Sequence, residues 1–183
     1  MSDPLSPLQR ATKLVAGTYK GPHCVEAAAL MLEVGERLGY DLEARPVSLF
    51  AVNVGTGRSV ATGEYGRAFG QNFLGRYGSV TIGGELEEGT AFQRHAGHMI
   101  VVSKTHELLL DPTFAQFQQL GDLAVALFAS ETRLHKSGRF WHVGDEDFFA
   151  RYFTADDFME LDFELVRKTA VDRAEKIVAY LNK

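Results

Sequence analysis

Two short apolar runs in the second half of the chain constrain its fold more than any other feature. The first covers 98–103 (His-Met-Ile-Val-Val-Ser) and the second covers 107–111 (Glu-Leu-Leu-Leu-Asp). Only the polar residues 104–106 separate them. Apolar, β-rich runs with a short polar gap are typical of two antiparallel strands joined by a tight turn. The sequence therefore predicts a buried β-hairpin.

The register of this hairpin decides which side chains its open end brings together. If the turn pairs Ser103 with His106, His98 lies directly opposite Asp111. Directly opposed side chains share one face of a sheet, with about 5 Å between their Cβ atoms. The aspartate could then accept a hydrogen bond from one imidazole nitrogen and leave the other for proton transfer. The alternatives are a structural histidine and a strand-end aspartate before Pro112.

Helical spacing of apolar residues occurs in three segments. We expect a short N-terminal helix with Ser6 as its cap and Gly17 beyond its end. A second helix is predicted over about 22–39, with Cys24 in its first turn. The C-terminal segment predicts a final helix for which Thr169 is a candidate cap.

The middle of the chain is less regular. A buried strand is expected over 45–54, where the residues are apolar and β-rich. The segment 55–89 contains ten of the chain's 18 glycines, so regular structure there should be short and interrupted. Periodicity does not decide whether 161–165 form a strand before the last helix. With 183 residues, of which 45% are apolar, we expect a single domain over 1–183 with a glycine-rich insertion at about 55–89.

An aromatic stripe lies inside the glycine-rich segment. Tyr65, Phe69, Phe73 and Tyr77 recur at every fourth position, which places them on one face if the segment is helical. The stripe either packs onto the core or forms the aromatic wall of a substrate groove.

Composition excludes several classes of protein. The net charge is −5, with 19 basic against 24 acidic residues, so we expect no nucleic acid as a partner. The N-terminus lacks the pattern of a signal peptide and no segment has membrane-spanning length, so we expect no membrane association and a cytoplasmic location. A single cysteine fits a reducing compartment.

Cys24 is that cysteine, and its position needs an explanation by packing or by reactivity. A thiol attacks as thiolate, which the partial positive charge and unpaired N–H groups of a helix N-terminus favour. The same N–H groups could bind the oxyanion formed when the thiolate adds to a carbonyl. The alternative is a small apolar side chain on an amphipathic helix. Cys24, His98 and Asp111 together give a cysteine, a histidine and an aspartate in a usable order.

These residues resemble the transglutaminase-like branch of the papain-like cysteine enzymes. The resemblance covers roughly 21–117 and is carried by Cys24 near a helix start, by Gly97-His98 and by Asp111-Pro112-Thr113, with Gln116-Phe117 just beyond. It implies an α+β fold in which a nucleophile-bearing helix packs on an antiparallel sheet that bears the histidine and the aspartate.

The resemblance also implies acyl-transfer chemistry on amides, with a peptide, a protein or a small amide as substrate. Hydrolysis, glutamine deamidation and transfer to an amine are all open. It assigns Cys24 as nucleophile, His98 as general base and acid, and Asp111 as the residue that orients the ring. A noncatalytic protein-binding module on the same fold is the alternative.

The chain departs from the family pattern near the nucleophile. Val25 and Met99 stand where members of the branch often have an aromatic residue, and no glutamine occurs between Gln9 and Cys24 to act as a second oxyanion donor. Tyr19 is a substitute by position. The other candidate substrate-binding residues, besides Tyr19, are His23, His95, Tyr65 and Phe69.

Other site classes have weaker signals. The six histidines, including His95 and His98, show no metal-binding motif, and we predict no metal. Residues 55–59 (Gly-Thr-Gly-Arg-Ser) lack the glycines or lysine of a nucleotide-binding loop and are expected to form a turn. We therefore expect no cofactor. The sequence does not indicate an oligomeric state.

Overall fold

The computed structural model of the chain describes residues 6–19, 23–71, 78–81, 97–121, 124, 126–155 and 160–183. The helices in these ranges are α1 (Ser6–Thr18), α2 (Cys24–Leu38), α3 (Gly63–Gln71) and α4 (Glu160–Leu181). The strands are β1 (Glu43–Asn53), β2 (Arg58–Thr62), β3 (Gly78–Thr81), β4 (His98–Ser103), β5 (Leu108–Asp111), β6 (Leu127–Ala129), β7 (Phe140–Gly144) and β8 (Phe148–Thr154). A 3₁₀ helix kinked at Phe117 spans Phe114–Leu120.

β1 lies at the centre of a mainly antiparallel sheet. It pairs antiparallel with β2, β4 and β8, and the strand order along the main path is β3-β2-β1-β4-β5-β6. β7 extends the sheet through β8, and β2 with β3 is the one parallel pair among the described strands. The α+β class expected from the sequence is confirmed.

The hairpin strands β4 and β5 alternate between two parts of the core. Four of their residues pack beneath α1, α2 and α4: Met99, Val101, Leu108 and Leu110. Three others belong to a second cluster with β1, β7 and β8: Ile100, Val102 and Leu109. Because side chains alternate with a period of two along a strand, His98 and Asp111 lie on the face of the second cluster.

α2 carries Cys24 at its first residue and is fixed at both its end and its middle. It ends at Gly39, whose φ of +82° is a left-handed conformation that favours glycine. On the side facing α4, the buried Glu33 carboxylate accepts hydrogen bonds from Arg37 at 2.7 Å and from Arg167 at 2.7 and 3.0 Å. These contacts hold α2 against the C-terminal helix.

α3 packs closely on β1. A Cβ atom at Gly66 would lie 2.2 Å from the carbonyl oxygen of Leu49, so only glycine permits this approach. Phe69 on the same helix lies 5.3 Å from the ring of Phe50 and 5.3 Å from that of Phe153. Within the predicted aromatic stripe, Phe69 is thus partly buried and packs against a core cluster. Phe73 and Tyr77 lie outside the described residues.

The predicted register of the β4–β5 hairpin is wrong by two residues. Ser103 pairs with Leu108 and not with His106, and Val101 pairs with Leu110. Asp111 is therefore level with Ile100, and His98 lies diagonally from it. A shift of two preserves the face of every side chain, whereas a shift of one would reverse it.

The turn is wider because its residues do not suit a two-residue turn. Such turns require left-handed conformations that favour glycine, asparagine or aspartate, and Lys104 and Thr105 stand at those positions. The observed four-residue turn places Glu107 at φ +52°. Asp41 secures it by accepting hydrogen bonds from Ser103 Oγ at 2.8 Å and from Thr105 Oγ1.

Two smaller predictions about helices need correction, and one question that the sequence left open is answered. α1 continues through Gly17 to Thr18. Residues 161–165 belong to α4, which begins at Glu160, so they form no strand. Thr169 lies inside that helix, where its hydroxyl bonds to the carbonyl of Val166 at 2.7 Å. No helix in the described part of the chain is both long and apolar enough to cross a membrane.

Candidate active site

Cys24 opens α2 and remains partly exposed. Its side chain packs at the margin of the cluster beneath the helices. His23 precedes the helix without a side-chain cap, and its carbonyl accepts the N–H of Ala27 at 2.9 Å. The earlier N–H groups of the first turn, including that of Cys24, have no acceptor within the helix. The thiol is thus next to backbone donors that can bind an anion.

His98 and Asp111 form a buried hydrogen-bonded pair. Nε2 of His98 lies 2.7 Å from Oδ2 of Asp111, and His98 is only 1% exposed. Because the carboxylate is an acceptor, Nε2 carries the hydrogen and Nδ1 is the nitrogen that can exchange a proton. The ring is held edge-on by Phe117, with 5.1 Å between centroids.

Asp111 is fully buried and its two oxygens have several donors. Oδ2 also accepts a hydrogen bond from the hydroxyl of Tyr152 at 3.2 Å. Oδ1 accepts from the backbone N–H of Thr113 at 3.1 Å and from its hydroxyl at 3.3 Å. These bonds stabilise the carboxylate in a dry environment and fix its direction toward His98.

Gln116 contacts the second nitrogen of the ring. Its Nε2 lies 3.0 Å from Nδ1 of His98 and donates to the hydroxyl of Thr113 at 3.3 Å. A neutral ring would accept a hydrogen bond from this amide at Nδ1, whereas a charged ring would donate one to the amide oxygen. Gln116 therefore contacts Nδ1, the ring nitrogen at which His98 gains or loses its proton.

The groups around the His98 ring shift its pKa. Burial alone would lower this pKa, but the charge and hydrogen bond of Asp111 raise it, as do a hydrogen bond and charge from Cys24, and the result is a pKa of about 10. The Cys24 side chain is therefore within hydrogen-bonding reach of His98. The Asp111 carboxylate and Cys24 thus both favour the charged form of the ring.

Tyr152 shares this electrostatic environment. Burial and the adjacent Asp111 charge raise the pKa of its hydroxyl well above the usual value. The hydroxyl consequently stays protonated and donates to the carboxylate throughout the ordinary pH range.

The predicted substrate-binding residues have different positions. Tyr19 and His23 lie together beside the start of α2, with 5.9 Å between ring centroids, and the Arg173 guanidinium lies 5.5 Å from the Tyr19 ring. Tyr65 is 55% exposed on α3. Phe69 is partly buried and packs against the cluster of Phe50, Val52 and Ala61. His95 lies outside the described residues.

Three residues at this site were not identified as site residues from the sequence. Thr113 and Gln116 occur in the segment that carries the resemblance, but their contacts depend on the turn after β5. Tyr152 is 41 positions from Asp111 and approaches it because β8 pairs with β1. No local sequence signal predicts that contact.

Within the described ranges, no group of three or more histidine, cysteine, aspartate or glutamate side chains is arranged to hold a metal ion. Comparisons with protein families, with curated proteins and with solved structures found no match to this chain. The geometry of the site itself is therefore the basis for its chemistry.

Proposed function

We propose that the chain is a cysteine-dependent amide hydrolase or acyltransferase that works through a thioester on Cys24. The observation that carries this proposal is the position of one buried imidazole, His98, between two partners. Its Nε2 is hydrogen-bonded to Asp111, and a hydrogen bond with Cys24 further raises its pKa. A nucleophile, a base and a residue that orients the base then occupy the arrangement that acyl transfer requires.

The proposed reaction has two steps that balance in protons. The Cys24 thiolate adds to the amide carbonyl, and collapse of the adduct breaks the C–N bond while His98 Nδ1 gives its proton to the leaving amine. Water or an acceptor amine then attacks the thioester. His98 takes the proton of this second nucleophile, and Cys24 leaves as thiolate.

The resting site supports both steps. The first turn of α2 offers backbone N–H groups for the oxyanion. Asp111 holds the ring in one orientation and stabilises its charged form. Gln116 is assigned as a positioning residue, because its amide can meet Nδ1 in either protonation state by turning its oxygen or its nitrogen toward the ring.

The fold and setting of this activity belong to the same proposal. A helix that bears the nucleophile and a mainly antiparallel sheet that bears histidine and aspartate are the arrangement of papain-like and transglutaminase-like enzymes. The substrate is a peptide, a protein or a small amide. A reducing compartment such as the cytoplasm would keep the single thiol free.

Mass spectrometry of the intact protein tests the proposal. An activated ester or amide acyl donor should add one acyl group at Cys24, and hydroxylamine should release it as expected for a thioester. Cys24→Ala should give no adduct and His98→Asn a much slower one. Acylation at the rate of an ordinary exposed thiol, equal in the wild type and His98→Asn, would favour a noncatalytic binding module.

A further inference from the structure

A cavity lies at the end of the β4–β5 hairpin opposite to His98 and Asp111. Ser103 and Leu108, which flank the turn, both line it. At the rise of an antiparallel strand, Ser103 is about 17 Å from His98. The cavity volume is about 450 Å³, which is in the range of small-molecule sites.

Four of the residues that line the cavity are apolar: Val102, Leu108, Leu134 and Trp141. Trp141 is 7% exposed, whereas Leu134 is 41% exposed although it is a large apolar side chain. An indole ring and aliphatic side chains in the lining provide a surface on which a flat apolar group can pack.

Three cationic residues, Arg45, Lys104 and Arg133, also line the cavity, and two carboxylates pair with them. Glu43 lies 2.6 Å from Arg45 Nη2 and 3.6 Å from Lys104 Nζ, and Glu107 lies 2.6 Å from Arg133 Nη2. The Asp41 carboxylate, 2.8 Å from Ser103 Oγ of the lining, is a third anion, so the arginines offer directed N–H donors rather than an excess of positive charge.

Arg45 retains hydrogen-bonding capacity. Among the residues that the structure describes, its ion pair is made by Nη2 with Glu43, and its buried Nε has no hydrogen-bond partner. A guanidinium has five N–H donors and binds planar anions through two of them at once. Because the buried Nε is closed to a ligand, an anion in the cavity would bind the Nη1 donors of Arg45, which make no ion pair among the described residues.

We propose that this cavity binds a small molecule that combines a flat apolar body with one anionic group, a carboxylate or a sulfonate. The body packs on Trp141 and Leu134, and the anion pairs with Arg45 and Arg133. The site is separate from the candidate active site and does not depend on the activity proposed for Cys24.

Fluorescence of the intact chain provides the test, because Trp141 is its only tryptophan. Anilinonaphthalene sulfonate is the anionic probe and N-phenylnaphthylamine is its neutral counterpart of similar shape. We expect saturable, one-to-one quenching of Trp141 by the sulfonate and binding of the neutral probe at least about tenfold weaker. Arg45→Gln should weaken sulfonate binding about tenfold and leave the neutral probe unaffected.

Matched variants separate binding in this cavity from binding elsewhere on the protein surface. Arg58→Gln removes one exposed positive charge at the start of β2 and should leave the affinity unchanged. Arg133→Gln, on a different segment, should act like Arg45→Gln and decides the matter if Arg45→Gln fails to fold. Alkylation of Cys24 should proceed equally with and without the sulfonate probe.

The opposite results would overturn the proposal. Equal affinities for the two probes would show an apolar surface without an anion site. Equal losses in Arg45→Gln and Arg58→Gln would show a diffuse charge effect. Unsaturable quenching, or protection of Cys24 by the probe, would place the binding elsewhere.

Discussion

His98 and Asp111 are joined by a 2.7 Å hydrogen bond although their strands set them two residues out of direct register. The two side chains meet along the diagonal of the hairpin, on the face that holds the second core cluster. Diagonal residues are farther apart than directly opposed ones, but an imidazole ring and a carboxylate are long enough to span the distance. Acid–base geometry at this site therefore depends on both register and turn length.

Asp111→Asn should greatly reduce activity with little change of shape. The amide removes the negative charge that opposes the desolvation of the His98 ring, and it offers Nε2 a weaker acceptor. We expect acylation of Cys24 to slow by about a thousandfold, measured by single-turnover mass spectrometry.

Tyr152→Phe is the matched control, because it removes only one donor to the same carboxylate. It should cost about 1 kcal/mol of unfolding free energy and less than tenfold in rate. Similar rates for the two variants would contradict the role given to Asp111.

The raised pKa of His98 predicts a pH dependence of both protonation and stability. Because the folded pKa is about 10 and the unfolded pKa is about 6.5, the imidazolium contributes stability that is complete below pH 6.5 and is lost as the pH rises through 10. Nitrogen NMR of the ring should show both nitrogens protonated at about pH 8, and a neutral ring in Asp111→Asn at the same pH. A neutral ring in the wild type under these conditions would disprove the ion-pair description.

Gln116 variants should move the pH profile in a way that a purely structural residue would not. Gln116→Glu places a carboxylate beside Nδ1, so the limb of the rate profile that reports loss of the His98 proton should shift to higher pH. The new carboxylate also competes for the Nδ1 hydrogen, which should slow alkylation of Cys24 at neutral pH.

Gln116→Met is the control of similar length without hydrogen bonding. It should retain the fold and lose about tenfold in acylation rate, as expected for one hydrogen bond to the ring. Profiles that coincide for the wild type and Gln116→Glu would remove Gln116 from the site.

Glu33→Gln should destabilise the contact between α2 and α4. Burial raises the pKa of Glu33, but hydrogen bonds and charges from Arg37 and Arg167 lower it below the usual value. The carboxylate therefore contributes stability that is lost as the pH falls through this lowered pKa. We expect Glu33→Gln to cost about 2 kcal/mol in urea unfolding at neutral pH.

Glu36→Gln is the exposed control for this measurement. Its carboxylate lies 3.2 Å from Arg167 and its side chain is 71% exposed, so the change should be about 0.5 kcal/mol or less. An equal loss of unfolding free energy in the two variants would show that the buried Glu33 carboxylate stabilises the protein no more than the exposed one of Glu36.

The local sequence pattern predicted the helix and strands that carry the site residues better than it predicted the contacts between those residues. The start of α2 at Cys24 and the two strands that bear His98 and Asp111 follow from periodicity and turn residues that lie close together in the sequence. The predicted hairpin register is wrong because the turn contains four residues instead of two. Asp41, more than 60 positions away in the sequence, stabilises this longer turn by its hydrogen bonds to Ser103 and Thr105. The donor from Tyr152 depends on pairing between distant strands, which a single sequence does not encode locally.

The position of Glu33 between two arginines has a consequence for heat inactivation. The nucleophile is carried by the helical layer and its base by the sheet, so a slide of one layer over the other separates sulfur from imidazole while both layers keep their hydrogen bonds. Reactivity of Cys24 should then disappear on warming before the circular dichroism signal does. The interval between the two transitions should widen in Glu33→Gln, because α4 then holds α2 and its Cys24 less firmly.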